Sequence, residues 1–293
     1  MKSKIYMFAI VFAVLMILQP VLLPAQSLEL TEEQKLLQVL HTVDSGTLYG
    51  YVDELASEKF AGRLTGTAGF NESAAWVSRH FEKWGLLPVG DDDTYLQAFP
   101  NPYTLVFKDC FLHMHMPVDG DTVVKDYRYE EEYIPGSTSG SGEVTAEVVY
   151  VGYGITAPEL GFDEYGGVDV EGKIVLMERE APVNPNREPE KFMDWRPYSF
   201  HQYKLKNAAA HGAKGMLYNY HITNPNNAYI EDFIYSHVGE TVVGDIFAGT
   251  GKNHADVVKT IRDTLKPQSF STGKKFSIKN TTEHHPEGIG NNV

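Results

Sequence analysis

Residues 148–179, VVYVGYGITAPELGFDEYGGVDVEGKIVLMER, constrain this chain more than any other stretch. Two β-rich apolar runs, 148–151 and 173–177, flank a segment dense in Gly, Asp and aromatic residues. Runs of that length and composition predict two buried strands with a structured connection between them. Gly152 and Gly154 close the first strand, and Glu171-Gly172-Lys173 turns into the second, because glycine supplies the backbone freedom of a tight reversal. The segment holds no nucleophile beside a base and no cluster of metal ligands, so it specifies a scaffold and not a reaction.

With 293 residues, 42% of them hydrophobic and 12% aromatic, the chain can bury a sizeable core and is long enough for two domains. Its formal net charge of −14 repels nucleic acid and anionic membrane surfaces, so neither is expected as a partner, and the excess acid reads as solubility. Cys110 is the single cysteine, which rules out an intramolecular disulfide. Within the apolar run 106–112 it reads as a small buried side chain and not a reactive thiol. At the start, Lys2 and Lys4 precede an apolar run, 5–18, that continues through Gln19-Pro20 to Leu23 and ends at Pro24-Ala25-Gln26-Ser27. This is the form of a secretory signal cleaved after Ala25, against the competing reading of an uncleaved anchor. The expectation is an exported protein, periplasmic or extracellular, with no stable membrane span after cleavage.

Helices follow the signal. Thr31 with Glu32, Glu33 and Gln34 has the form of a capping box, and Leu36, Leu37, Val39 and Leu40 supply an apolar face ending near His41. Leu48, Val52 and Leu55 continue at helical spacing. A third helix is predicted over 69–84, its inward stripe Phe70, Ala74, Val77, Phe81 and Trp84, with Trp76 and Arg79 off the stripe and Gly85 as the left-handed stop. Residues 103–116 read as extended chain opening a new domain, and 136–142, GSTSGSG, as a flexible loop. The four prolines in 181–197 indicate a surface loop. A helix through Phe200, Lys204 and Ala208 and a strand at 214–220 complete a strand-helix-strand unit. Asn224–Asn227 turns, 241–247 reads as a further strand, and Asn253 with Asp256 caps a helix whose Val258, Ile261 and Leu265 face inward. Phe276-Ser277-Ile278 begins a fresh strand.

Candidate chemistry is sparse. Gly152-Tyr153-Gly154 follows a strand as a dinucleotide-binding turn does, with Asp169 where a ribose-binding acid would stand, but Pro158, Gly161, Gly166 and Gly167 deny it the helix that would hold a pyrophosphate. His113 and His115 would share one face of a strand and lack a further ligand. His284 and His285 are adjacent on extended chain and point apart. Asp91-Asp92-Asp93 lacks the spaced ligands of a calcium loop. Thr138 occupies the middle of a glycine-flanked five but has no strand-to-helix context for a nucleophile.

A family resemblance becomes visible in the order of pieces. FAGRLTGTAG at 60–69, the amphipathic helix, WGLLPVG at 84–90 and TYLQAF at 94–99 resemble the opening of the secreted zinc-dependent aminopeptidases of metallopeptidase family 28. DEYGGVDVEGKIVLMER, followed by KLKNAAAHGAKGMLY, resembles the protease-associated domain that many of those enzymes carry inserted in the catalytic domain. The resemblance implies an α/β fold: N-terminal helices and the first strand or strands of a zinc-aminopeptidase domain, interrupted by an inserted α+β protease-associated domain. The layout it implies is a signal at 1–25, the N-terminal part of the peptidase domain at 26–104, the inserted domain at 105–267 and resumption of the peptidase domain at 268–293. The family uses two zinc ions and peptide substrates, with first ligands in a histidine-x-aspartate motif on a later strand. No histidine here precedes an aspartate by two positions in an apolar strand, so no catalytic or zinc-binding residue is carried over and no cofactor is expected on this chain alone. Two functions follow: the N-terminal portion of an exported aminopeptidase, inactive by itself, or a stand-alone exported binding module built on the protease-associated domain.

Overall fold

The computed structural model describes residues 30–220 and 228–293. The expected signal at 1–25 and the turn at 224–227 lie outside the described residues. Among those described, no helix is long and apolar enough to cross a membrane. The chain divides into two compact units, residues 1–57 and 58–293. In the first, α1 (Glu32–Leu40) opens on the expected capping box: Gln34 N donates to Thr31 Oγ1 at 3.2 Å and Thr31 N donates to Gln34 Oε1 at 2.9 Å. Helix α2 (Ser45–Ala56) is capped by Asp44, which accepts from Thr47 N at 2.8 Å. Neither helix buries a residue, so the predicted apolar face of α1 is left in solvent.

The second unit begins with a 3-10 turn, Glu58–Arg63, that buries Phe60 completely, followed by α3 (Ala68–Lys83). The helix starts so close to the turn that a Cβ on Gly69 would meet Phe60 O at 2.1 Å, which is why the first turn of α3 needs glycine. That approach changes the buried face. The covered residues are Gly69, Ser73, Ala74 and Trp76, while Trp84 is half exposed. The predicted stripe from Phe70 to Trp84 is therefore rotated: Trp76, which lay off it, is buried, whereas Phe70, Val77 and Phe81 are only half-buried.

Strands follow in chain order: β1 (Gln97–Pro100), β2 (Tyr103–Val106), β3 (Phe111–Val118), β4 (Asp121–Asp126), β5 (Tyr133–Pro135), β6 (Gly142–Tyr150), the short β7 (Thr156–Ala157) and β8 (Phe162–Asp163), and β9 (Ile174–Glu178). After α4 (Pro189–Ser199) and α5 (His201–Ala210) come β10 (Gly215–Asn219) and β11 (Ile234–Val238). Helices α6 (Glu240–Phe247) and α7 (His254–Thr264) precede β12 (Phe270–Asn280), β13 (Thr282–His285) and β14 (Ile289–Asn292). Eight strands form one sheet in the order β4-β3-β12-β6-β9-β10-β11-β5. Strands β6, β9, β10 and β11 run parallel; the remaining pairings are antiparallel. The chain is thus mixed α/β, as expected.

Strand β9 shows why its sequence is a continuous apolar run: Ile174 and Leu176 join one buried cluster and Val175 and Met177 the other, so both faces are covered. One cluster takes in Val242 and Ile246 of α6 and Val257 and Ile261 of α7; the other takes in Leu205 and Ala208 of α5. The strand-helix-strand unit β9-α5-β10 is present as predicted.

Several expectations give way. Residues 241–247 are helical: Gly239 starts the helix, and Val242, Val243, Ile246 and Phe247 fall on one buried helical face that a β-branched composition disguises. Half of the proline-rich stretch is α4, with Pro189 in its first turn, where a missing N–H costs nothing. The GSTSGSG loop, expected as a flexible connection, is packed into the fold: Thr138, Ser139 and Gly140 are buried, and Tyr235 N donates to Ser139 Oγ at 3.1 Å. The single extended stretch at 103–116 is two strands with different partners, β2 with β13 and β3 with β4 and β12. Most consequentially, Phe276 to Ile278 do not open a separate domain. They lie in β12, between β3 and β6 in the middle of the sheet, so a domain boundary at 267/268 would cut that sheet in two. The flanks are also partnered, β1 by β14 and β2 by β13.

Candidate functional site

The parallel strands bring polar residues together at their carboxyl ends, where open α/β sheets place their clefts. Strand β9 ends on Glu178 and β10 on Asn219, which are register partners, and Tyr150 ends β6 one strand away. Glu178 is buried, 7% exposed, yet fully engaged: Tyr150 OH donates to Oε1 at 3.2 Å, His254 Nε2 lies 2.6 Å from Oε1, and Asn219 Nδ2 donates to Oε2 at 2.7 Å. Burial first, and the Glu178 charge second, hold the Tyr150 hydroxyl far above its usual range, so it remains a donor. His254 opens α7 directly after its Asn253 cap, so the cap places the imidazole over the strand ends.

Behind this cluster lie two fully buried ionisable groups. Lys204 Nζ donates to Tyr153 O and Glu178 O, both at 2.7 Å, and sits over the Tyr153 ring. Its burial pushes the ammonium down to about 7, against the opposing pull of Glu164 and Glu178. Glu164 Oε2 accepts from Tyr153 N at 2.8 Å and Ile155 N at 3.1 Å. Burial nonetheless raises its carboxyl to about 8. The protein's own carboxylate therefore fills the glycine turn at 152–154: a Cβ on Gly152, where φ is +53°, would lie 1.7 Å from Glu164 Oε1. After the turn come β7, a 3-10 turn at Pro158–Leu160 and β8, so the α-helix that a dinucleotide-binding turn leads into does not follow it. Asp169 accepts from Glu171 N at 3.1 Å and pairs with Lys173, which makes it a turn residue.

Two clefts flank His254. The larger, about 890 Å³, lies between the chain after β9 and α7 and is lined by Glu178, Arg179, Arg187, His254 and Arg262 among others. The smaller, about 370 Å³, has Asn219, Glu240, Asn253 and His254 in its wall.

The residues singled out in the sequence are dispersed. His113 Nε2 lies 3.1 Å from Asp126 Oδ1, and His115 Nε2 lies 2.7 Å from Ser277 Oγ. His284 Nδ1 is 2.9 Å from Thr104 Oγ1 with its ring on Tyr229, whereas His285 stacks on Tyr103. Asp91 accepts from Ala98 N at 2.9 Å within a 3-10 turn with Asp92 and Asp93. Cys110 is half-buried; its Sγ donates to Phe107 O at 3.0 Å, and burial raises the thiol. Buried Thr138 Oγ1 donates to Ala228 O at 3.1 Å. Among the described residues no three His, Cys, Asp or Glu side chains stand together as a metal site. His254 and Asp256 do share the histidine-x-aspartate spacing, but on the first turn of α7 and not on a strand.

Sequence reasoning missed Glu178, His254, Asn219 and Glu164. A visible signal existed for Glu178, a carboxylate ending an apolar strand, and for Lys204, a charge inside the apolar stripe of α5. No local pattern relates Glu178 to His254, 76 positions away.

Together the fold and site define a mixed α/β chain carrying a PA domain, the family that matches residues 144–246. Its fold is aminopeptidase-like. The chain is similar to the aminopeptidase from Aneurinibacillus sp. strain AM-1 at 16% identity and a TM-score of 0.50, over 87% of this chain and 48% of that one. A zinc aminopeptidase from Bacillus subtilis is also similar, at 16% identity and a TM-score of 0.36, over 83% of this chain and 44% of that one. The chain thus spans about half the length of the aminopeptidases it matches. Among curated protein sequences none matches it.

Proposed function

We propose that this chain forms the N-terminal portion of an exported zinc-dependent aminopeptidase of metallopeptidase family 28, whose PA domain shapes how peptides reach the catalytic centre. The observation that carries the reading is the fold correspondence with an aminopeptidase over 87% of the chain. A fold by itself supports no chemistry. The order of motifs from residue 60 to residue 99 supplies the link to the family, and the charged start, apolar run and Ala25 support export. The described residues do not fit a zinc site, since no three potential ligands converge. No catalytic step is assigned to them; what they contribute is a scaffold and a cleft.

The test is to express the complete open reading frame that contains residues 1–293 and to assay release of N-terminal residues from peptides, beside the 293-residue chain. The longer product should begin at Gln26 after export and lose activity to a chelator, with zinc restoring it, while the 293-residue chain is inactive. A stop codon directly after Val293, or a longer product without aminopeptidase activity, would replace this reading with a stand-alone binding module.

A further inference from the structure

The cleft beside Glu178 has a charge inventory that the composition does not suggest. The chain carries 39 acidic against 25 basic residues, yet three guanidinium groups, Arg179, Arg187 and Arg262, line this one cleft. None has a carboxylate partner among the described residues. Arg262 Nε donates to the neutral Tyr153 hydroxyl at 2.7 Å, and Arg179 lies over the Tyr220 ring, 5.0 Å from its centre. Arg187 stands exposed on the loop between β9 and α4. Of the four acids lining the cleft, Glu178 is engaged by His254, Asn219 and Tyr150, Asp263 by Lys259 and Glu188 by Lys191, which leaves Glu180 as one exposed carboxylate against the three guanidinium groups.

Guanidinium groups hydrogen-bond carboxylates in a planar, charge-assisted geometry, and a concave wall concentrates their field. Most of an acidic surface repels anions, so a cleft with uncompensated guanidinium groups is where an anionic ligand would collect. Arg179 and Arg187 stand near the two ends of the loop between β9 and α4, and Arg262 on α7, around about 890 Å³. A cleft of that volume has room for more than one small anion and suits a chain carrying several acceptors. Pro182 and Pro185 stiffen the loop that forms one wall, which lowers the ordering cost of binding. We propose that this cleft binds peptides through their carboxylate groups, with Arg179, Arg187 and Arg262 each meeting an acidic side chain or the terminal carboxylate. Binding is read directly, so the outcome does not depend on aminopeptidase activity.

Fluorescence anisotropy with three short labelled peptides tests it: a glutamate-rich peptide with an amidated end, a neutral peptide with a free carboxylate, and a neutral amidated peptide. The first or second should bind and thereby identify the source of the carboxylate; the third should not, and added salt should weaken the complex. Arg187→Gln and Arg179→Gln change exposed side chains and should each weaken binding on the order of tenfold without shifting the melting temperature. The proposal is overturned if neither carboxylate peptide binds, if the neutral amidated peptide binds as well, if both variants bind unchanged, or if inorganic phosphate at equal concentration displaces the peptide.

Discussion

Glu164 places a carboxylate in a fully buried position, and its two backbone donors do not offset that burial, so its folded pKa stands near 8 against an ordinary 4.5. A raised folded value means its contribution to stability is fully present below pH 4.5 and is lost as pH rises through about 8. Lys204 acts in the opposite sense. Its folded value is depressed to about 7, so its contribution is present above 10.5 and lost as pH falls through about 7. Glu164→Gln keeps the shape and an acceptor for the two N–H groups while removing the titration. Denaturant unfolding across a pH series should then show the loss between pH 4.5 and 8 flattened, by on the order of a few kcal/mol at the upper end. A variant that loses stability with pH as steeply as the parent would assign that dependence elsewhere. Glu164 was not legible as a buried charge, since it lies in a Gly- and Asp-rich connection that reads as solvated, whereas Lys204 stood inside the apolar stripe of its helix. Burial is a property of what packs around a residue.

At the scale of elements, β12 decides how the sheet closes. It runs between β3 and β6, and Phe276 and Ile278 are completely buried there. Phe276→Ala should therefore cost about 3–5 kcal/mol in urea unfolding, the range for a large side chain removed from a core. A chain ending at Pro267 should leave no protease-resistant fragment, because β3 and β6 would each lose their shared partner. A stable fragment of that length would mean the sheet closes without β12. The sequence did announce a strand at 276–278, through its alternating polar and apolar residues, but not where that strand pairs. Helix α6 shows the converse limit, since short apolar runs have the same composition in either state and only the covering face distinguishes them.

For the whole molecule, every buried residue among the described ones lies at Phe60 or beyond, while α1 and α2 bury nothing. A chain beginning at Glu58 should thus melt at the same midpoint as the 293-residue chain in calorimetry, and a clear drop would assign residues 30–57 a stabilising role. What the sequence determined by itself was whatever depends on near neighbours: the helix caps at Thr31 and Asn253, the runs of β6 and β9, the α/β class and the order of motifs that resembles an aminopeptidase with a protease-associated insertion. What only the tertiary structure decided was everything set by long-range pairing. That includes the place of β12 in the sheet, the rotated face of α3, and the meeting of Glu178, Asn219 and His254 at the carboxyl ends of parallel strands. Propensity and periodicity act over a few residues, whereas strand order is fixed by which apolar faces cover one another once the chain has closed on itself.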